Sequence, residues 1–233
     1  LGFTDEDVDT IKNTDGMRGM MPAYSVDSFV QATDNTSIIV KALSIPTGAA
    51  EEDENYLNRP VLKEGRLPEN SGECVVEQSS LASVDFSIGS KITLYLKTSD
   101  IGDSLKTDTF TIVGVIESPQ YISFNRGNSL IGDGSIDAFI MVPEQDFNIE
   151  VYTDLYLTLD STKGVSPFEE EYDRLVEEKA TTLEEIAEHR AQLRPERAGK
   201  QAPHPHGHPE ILHPAFLHND SRSCPRRRSS PAS

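Results

Sequence analysis

The sequence predicts an α+β fold, and three observations predict it. β-branched and apolar residues gather in short runs at 37–45 (SIIVKALSI), 73–77 (ECVVE), 91–97 (KITLYLK) and 108–117 (DTFTIVGVIE), as a pleated, partly buried surface requires. Helical patterning longer than a single turn is confined to the two ends, at 4–13 and 168–194. The best-specified stretch, 65–116, reads as turn, strand, short helix and two further strands, and holds no obvious catalytic group.

A chain of 233 residues holds one large domain or two small ones and buries a core without disulfide staples. That core is modest, because only 36% of residues are apolar and there is no Trp. The charge of -18, from 39 acidic and 21 basic residues, argues against nucleic acid or an anionic membrane surface as direct partner of the folded part. Cys74 lies in a strand as a small hydrophobe and Cys224 in a segment of different composition, so no disulfide is expected. No apolar run nears the roughly 20 residues that span a bilayer, and the first residues lack a signal-peptide pattern. Because the chain opens at Leu1 without Met, it is expected to be a soluble segment excised from between membrane anchors.

Thr4 is the expected N-cap of the first helix, with Asp7 three residues on and acids in the first turn. Val8, Ile11 and Phe3 form its apolar face. A metal site from Asp5, Glu6, Asp7 and Asp9 is disfavoured, since neighbouring helical positions point in different directions. Gly16 ends the helix, and 17–32 continues extended; Met17, Met20 and Met21 read as core filling rather than thioether ligands. The strand at 37–45 follows. The acidic run Glu51, Glu52, Asp53 and Glu54 lacks the alternating spacing of a calcium loop and reads as solvated.

After 59–67, Pro68 and Gly72 set the turn that launches the 73–77 strand. Residues 79–83 suit one helical turn, and Gly89 turns the chain into the next strand. Residues 112–116 are apolar almost without break, so this strand is expected to be covered on both faces, with Gly114 allowing a close approach. Tyr121 and Phe124, with Arg126 beside them, are a candidate partner or ligand surface through cation–π contact; the same residues equally suit the anchor of a long loop. The stretch 132–137 (GDGSID) lacks the acidic opening and closing Glu of a calcium loop and reads as a turn.

The order of 65–77 (GRLPENSGECVVE), 88–94 (IGSKITL) and 110–116 (FTIVGVI) resembles the MacB-like periplasmic core domain. That family is the extracytoplasmic insertion between the first two membrane helices of FtsX/MacB-type ABC transporter permeases. The resemblance spans residues 1 to about 194, and the opening 4–25 fits it too, since the family begins with a helix and then a strand. The segment 152–156 (YTDLY) is similar to Gram-positive members, where it precedes a turn and a helix.

Residues 136–142 and 151–159 are strands, the second with Val151, Thr153, Leu155, Leu157 and Leu159 inward. Ser166, Pro167 and Glu169 then predict a capped helix start. Phe168, Tyr172, Leu175, Val176, Leu183, Ile186 and Leu193 make a thin apolar stripe, expected to pack at one end and project at the other. His189 falls on its charged side. From Pro195 the composition changes: five of the six His and half of the 14 Pro lie in the tail. Its His204, His206, His208, His213 and His218 suit metal in a flexible peptide, and its PRRR suits anions, but the tail reads first as out-of-frame or non-native, disordered sequence.

Residues 1–194 contain only one His, and the chain has no G-x-S-x-G, phosphate-binding loop, dinucleotide fingerprint or spaced Cys/His set. Carboxylate pairs such as Asp154 with Asp160, or Glu73 with Glu77, exist, yet nothing singles one out. No catalytic residue, metal site or bound cofactor is assigned. The resemblance implies two parts: a mixed strand/helix subdomain with βαβ-like units from both chain ends (about 1–60 and 143–194) and a β-rich inserted subdomain (about 61–142), plus the long C-terminal helix. It implies a non-enzymatic, mechanically coupling domain on the outside of a bacterial cell membrane. ATP would be hydrolysed on a separate ABC ATPase subunit or domain. A second permease copy or partner permease, and a peptide, lipoprotein or envelope protein, are the other implied partners. A secreted or surface binding module is the alternative, and a carboxylate-dependent hydrolase the second.

Overall fold

The computed structural model describes residues 2–48, 53–77, 84–120 and 126–193. Local chemistry starts the first helix, α1 (Asp5–Lys12). Thr4 Oγ1 accepts from the Asp7 amide at 3.3 Å, and the Asp7 carboxylate takes the Thr4 amide at 2.8 Å, completing the expected capping box. Gly16, at φ 84°, turns the chain into β1 (Met17–Ala23). One residue, Tyr24, separates β1 from β2 (Ser25–Gln31), so the expected extended segment is two strands.

The other strands are β3 (Ser37–Ile45), β4 (Val61–Gly65), β5 (Glu73–Glu77), β6 (Lys91–Tyr95), β7 (Thr109–Glu117), β8 (Ala138–Pro143) and β9 (Asp154–Leu159). Seven of the nine strands, β2 to β8, form one sheet in the order β4-β7-β5-β8-β3-β2-β6, and β6 also pairs with β7. Six strands therefore close on themselves as a barrel, with β4 laid against the far end of β7. Closure removes the open edges that an unclosed sheet would expose. Every barrel strand contributes to the interior: Val30, Val40, Val76, Leu94, Phe110, Ile112 and Ile140 meet there, with Leu105 and Phe147. Complete burial of each such side chain is worth roughly 1.5–3 kcal/mol.

The apolar run of β7 is covered on both faces through a bulge. Cys74 pairs with Ile112, but the next residue, Val75, pairs with Gly114. Val113 is the extra residue, and one extra residue reverses which side chains face inward. Ile112 thus joins the interior, while Ile116 packs outside with Leu43, Val75, Phe139 and Met141, under Tyr56 and Leu67. A second outer patch, Phe29 with Ile39 and Ile136, has Tyr95 and Ile131 against it. β3 and β8 are consequently buried on both faces.

β1 and β9 make a separate antiparallel pair. Met20 from it packs with Ile11 of α1 and Leu183 of α2 (Glu170–Leu193), flanked by Leu155 and Leu157 as expected. The stretch expected to lie wholly in the strand/helix part, 1–60, is therefore shared: β1 pairs with β9, whereas β2 and β3 join the barrel. No βαβ unit forms from the chain ends among the described residues; α1–β1 and β9–α2 meet instead as an antiparallel pair of strands under two helices.

The helix after β9 also differs from expectation. Ser166 Oγ accepts from the Phe168 amide at 3.4 Å, and its carbonyl accepts from Glu169 N at 3.0 Å, closing a turn, and α2 begins only at Glu170. A cap is worth about 1 kcal/mol, and here the packing that holds α2 lies further along: Phe168 is 78% exposed while Leu183 is 8%. The anchored end of α2 is thus its C-terminal half rather than its start. Among the described residues, no helix is long and apolar enough to cross a membrane. The one-turn helix expected at 79–83 and the whole tail from Pro195 lie outside the described residues.

Candidate functional site

Antiparallel docking of α1 on α2 brings positions near the two ends of the described chain together. Lys179 Nζ donates to the Asp15 carbonyl at 2.5 Å, at the C-terminal side of α1. Eleven residues further along α2, Arg190 Nε meets Asp7 Oδ1 at 3.0 Å and its Nη2 meets Glu6 Oε2 at 2.9 Å, at the N-terminal side. Between these two polar contacts lie Val8, Ile11, Leu183 and Ile186. The acidic first turn of α1 favours the positive end of its own dipole, and Asp7 is buried against both the cap and the guanidinium. Glu6 holds the Arg190 guanidinium firmly in its charged form.

This layer meets the barrel at an aromatic stack. Tyr24 lies 5.2 Å from Phe147 and 5.1 Å from Tyr152, centroid to centroid. Burial pushes the Tyr152 hydroxyl up to about 12, with Tyr24 and Asp5 adding to the effect. Burial likewise raises Tyr24, with Glu144 and Asp5 contributing, and raises Glu144. Sequence reading missed this joint and the Arg190 clamp. The cap signal identified Asp7, but its partner stands 183 positions away.

Of the candidate surface residues, Tyr121 and Phe124 lie outside the described residues. Arg126 is placed: its Nη2 meets Glu77 Oε2 at 2.6 Å and its Nε meets the same oxygen at 3.0 Å. Glu77 Oε1 accepts from the Phe139 amide at 3.3 Å. Arg126 thereby ties the chain between β7 and β8 to the end of β5, the anchor role that the sequence left open beside partner binding.

The carboxylate pairs do not converge. Glu73 and Glu77 stand four residues apart on β5, which sets them roughly 13 Å apart along the strand, beyond the spacing of a glycosidase pair. Glu73 is held by Arg66 and by the amides of Glu69 and Asn70, and Arg66 above all keeps its carboxyl far below the usual range. Asp154 accepts from Thr153 Oγ1 at 2.6 Å, at the opposite end of β9 from Asp160. Among the described residues no three His, Cys, Asp or Glu side chains gather as metal ligands. Asp53 is turned onto the Asn55 amide, Glu51 and Glu52 lie outside the described residues, and His189 is exposed on α2. Cys74 is fully buried, and desolvation pushes its thiol up to about 12, away from reactivity.

Comparison with known proteins matches residues 2–175 to a family model described as the MacB-like periplasmic core domain. No curated protein matches the chain. Among solved structures, it is similar to the extracellular domain of the noncanonic ABC-type transporter YknZ from Gram-positive bacteria, at 11% identity and a TM-score of 0.39, over 77% of this chain and 85% of that one. It is also similar to the periplasmic region of MacB from Actinobacillus actinomycetemcomitans, at 12% identity and a TM-score of 0.40, over 82% and 76% respectively.

Proposed function

The chain belongs to the MacB-like periplasmic core domain family, and from that premise we propose that it is the extracytoplasmic domain of an ABC transporter permease, a mechanical part rather than an enzyme. The observation that carries the reading is the clamp of Arg190 on Glu6 and Asp7. Through it, displacements applied at either end of the described chain reach the same small layer and pass together to the barrel. An interface of packed helices fixed by ion pairs transmits motion as a unit, because close-packed interiors do not deform continuously.

In this reading ATP is bound and hydrolysed by an ABC ATPase on the other side of a bacterial membrane. The domain moves against a second permease copy or a partner permease, and handles an exported substrate, peptide, lipoprotein or envelope protein. The parent permease with its ATPase in lipid nanodiscs, spin-labelled at Glu188→Cys, provides the test. Trapping the ATPase with ATP and vanadate should shift the distance between labels on the two permease subunits by several ångströms, and Arg190→Glu should abolish the shift while ATP hydrolysis persists. A wild-type distance indifferent to ATP and vanadate would refute mechanical coupling.

A further inference from the structure

The layer of α1, β1, β9 and α2 is joined to the barrel by two covalent crossings. One is Tyr24, the single residue between β1 and β2. The other lies between Ile149 and Thr153. Up to Asn148 the chain is tied to the barrel, through Lys106 N on the Asp146 carbonyl and Asn148 N on the Ser104 carbonyl, both 2.8 Å. From Tyr152 it is tied to the layer, where Tyr152 pairs with Phe3.

The two crossings are adjacent. The Ser25 amide donates to Thr153 Oγ1 at 2.6 Å, and the Thr153 amide to the Ala23 carbonyl at 3.1 Å. Tyr24 is pinned to β3 by a reciprocal pair with Ser44, its amide on Ser44 Oγ at 2.9 Å and its carbonyl under Ser44 N at 2.8 Å. Its ring lies between Phe147 of the barrel side and Tyr152 of the layer.

Beside these crossings, a narrow cleft runs between Met21 and Tyr156 of the layer and Leu43, Met141 and Tyr56 of the barrel side. Among the described residues, side-chain hydrogen bonds link the layer to the barrel side near it: Gln120 Nε2 donates to Tyr156 Oη at 2.7 Å, and the Met20 amide donates to Asn55 Oδ1 at 3.2 Å. Asn55 is exposed to water, so its bond exchanges readily with solvent.

We propose that Tyr24 and the 150–153 crossing form a hinge, on which the layer rocks against the barrel by opening and closing this cleft, with the Gln120–Tyr156 and Asn55–Met20 bonds as its latches. Hinges are a few element-terminal residues that absorb backbone rotation, and two adjacent crossings leave one rotation axis where several spread along the seam would lock it. The idea deepens the transporter reading, since a rocking layer is how motion would reach the barrel.

The test uses the chain alone, so that its failure and that of the transporter assignment are distinguishable. Spin labels at Glu177→Cys on α2 and Lys91→Cys on β6 are placed in a Cys224→Ser background, with buried Cys74 kept. Their distance distribution is read by double electron–electron resonance. Tyr156→Phe and Asn55→Ala should each raise the longer-distance population by roughly 5-fold, the loss of about one net hydrogen bond, while a pair within the barrel, Lys91→Cys with Glu69→Cys, stays unchanged. A layer-to-barrel distance unaltered in both variants, or a change that the within-barrel pair shares, overturns the hinge.

Discussion

Arg126 stood in the sequence between two roles, partner surface and loop anchor, and a double-mutant cycle with Glu77 decides between them. Arg126→Met removes the charge facing the Glu77 carboxylate, whose side chain is 7% exposed. Breaking a fully buried pair from one side costs about 3–5 kcal/mol. Because the Arg126 side chain is 15% exposed, water recovers part of this, and a loss of about 2–3 kcal/mol is expected. Glu77→Gln keeps an acceptor for the Phe139 amide and should cost less, about 1–2 kcal/mol. The double variant should be less destabilised than the sum by about 1–2 kcal/mol, well above the roughly 0.3–0.5 kcal/mol scatter of independent sites. Equilibrium urea unfolding followed by far-ultraviolet circular dichroism measures all three, and with a slope near 2 kcal/mol/M the Arg126→Met midpoint should fall by about 1 M. Additive effects, or a loss under about 0.5 kcal/mol for Arg126→Met, would sink the anchor assignment.

The bulge and an acid-sensitive turn give two further tests. A Cβ on Gly114 would press on the carbonyl oxygens of Arg66 and Glu64, the latter at 3.0 Å, so Gly114→Ala should cost about 1–3 kcal/mol. It should also raise amide hydrogen exchange across β4 while β3 and β8 stay protected; unchanged β4 exchange would contradict the close approach. Glu73 titrates far below its ordinary value because Arg66 holds the ionised form. Its contribution is therefore present above the unfolded value of about 4.3 and is lost as pH falls below it toward the folded value. Glu73→Gln should flatten the acid limb of a stability profile below about pH 5, and an unaltered limb would mean that the carboxylate adds nothing.

What the sequence determined by itself was local. Alternating and β-branched runs placed β3 and β5 with their observed bounds, because strand preference and turn glycines such as Gly72 act over a few residues. Thr4 and Asp7 started α1 for the same reason. The ordered motifs of 65–116 also carried the family. Local signals failed where packing outweighed them, as at Ser166, where a cap could not start a helix whose holding contacts lie at 179–190.

Only the tertiary structure decided which strands pair, that six of them close, and that β2 and β3 leave the layer that β1 belongs to. The alternating pattern of a strand shows that it has an inner face but not which neighbour covers it. The joint of Tyr24 with Phe147 and Tyr152, and the clamp of Asp7 on Arg190, are likewise products of distant segments meeting. Each residue alone had an ordinary local reading, and burial between partners more than a hundred positions apart made them a joint and a clamp.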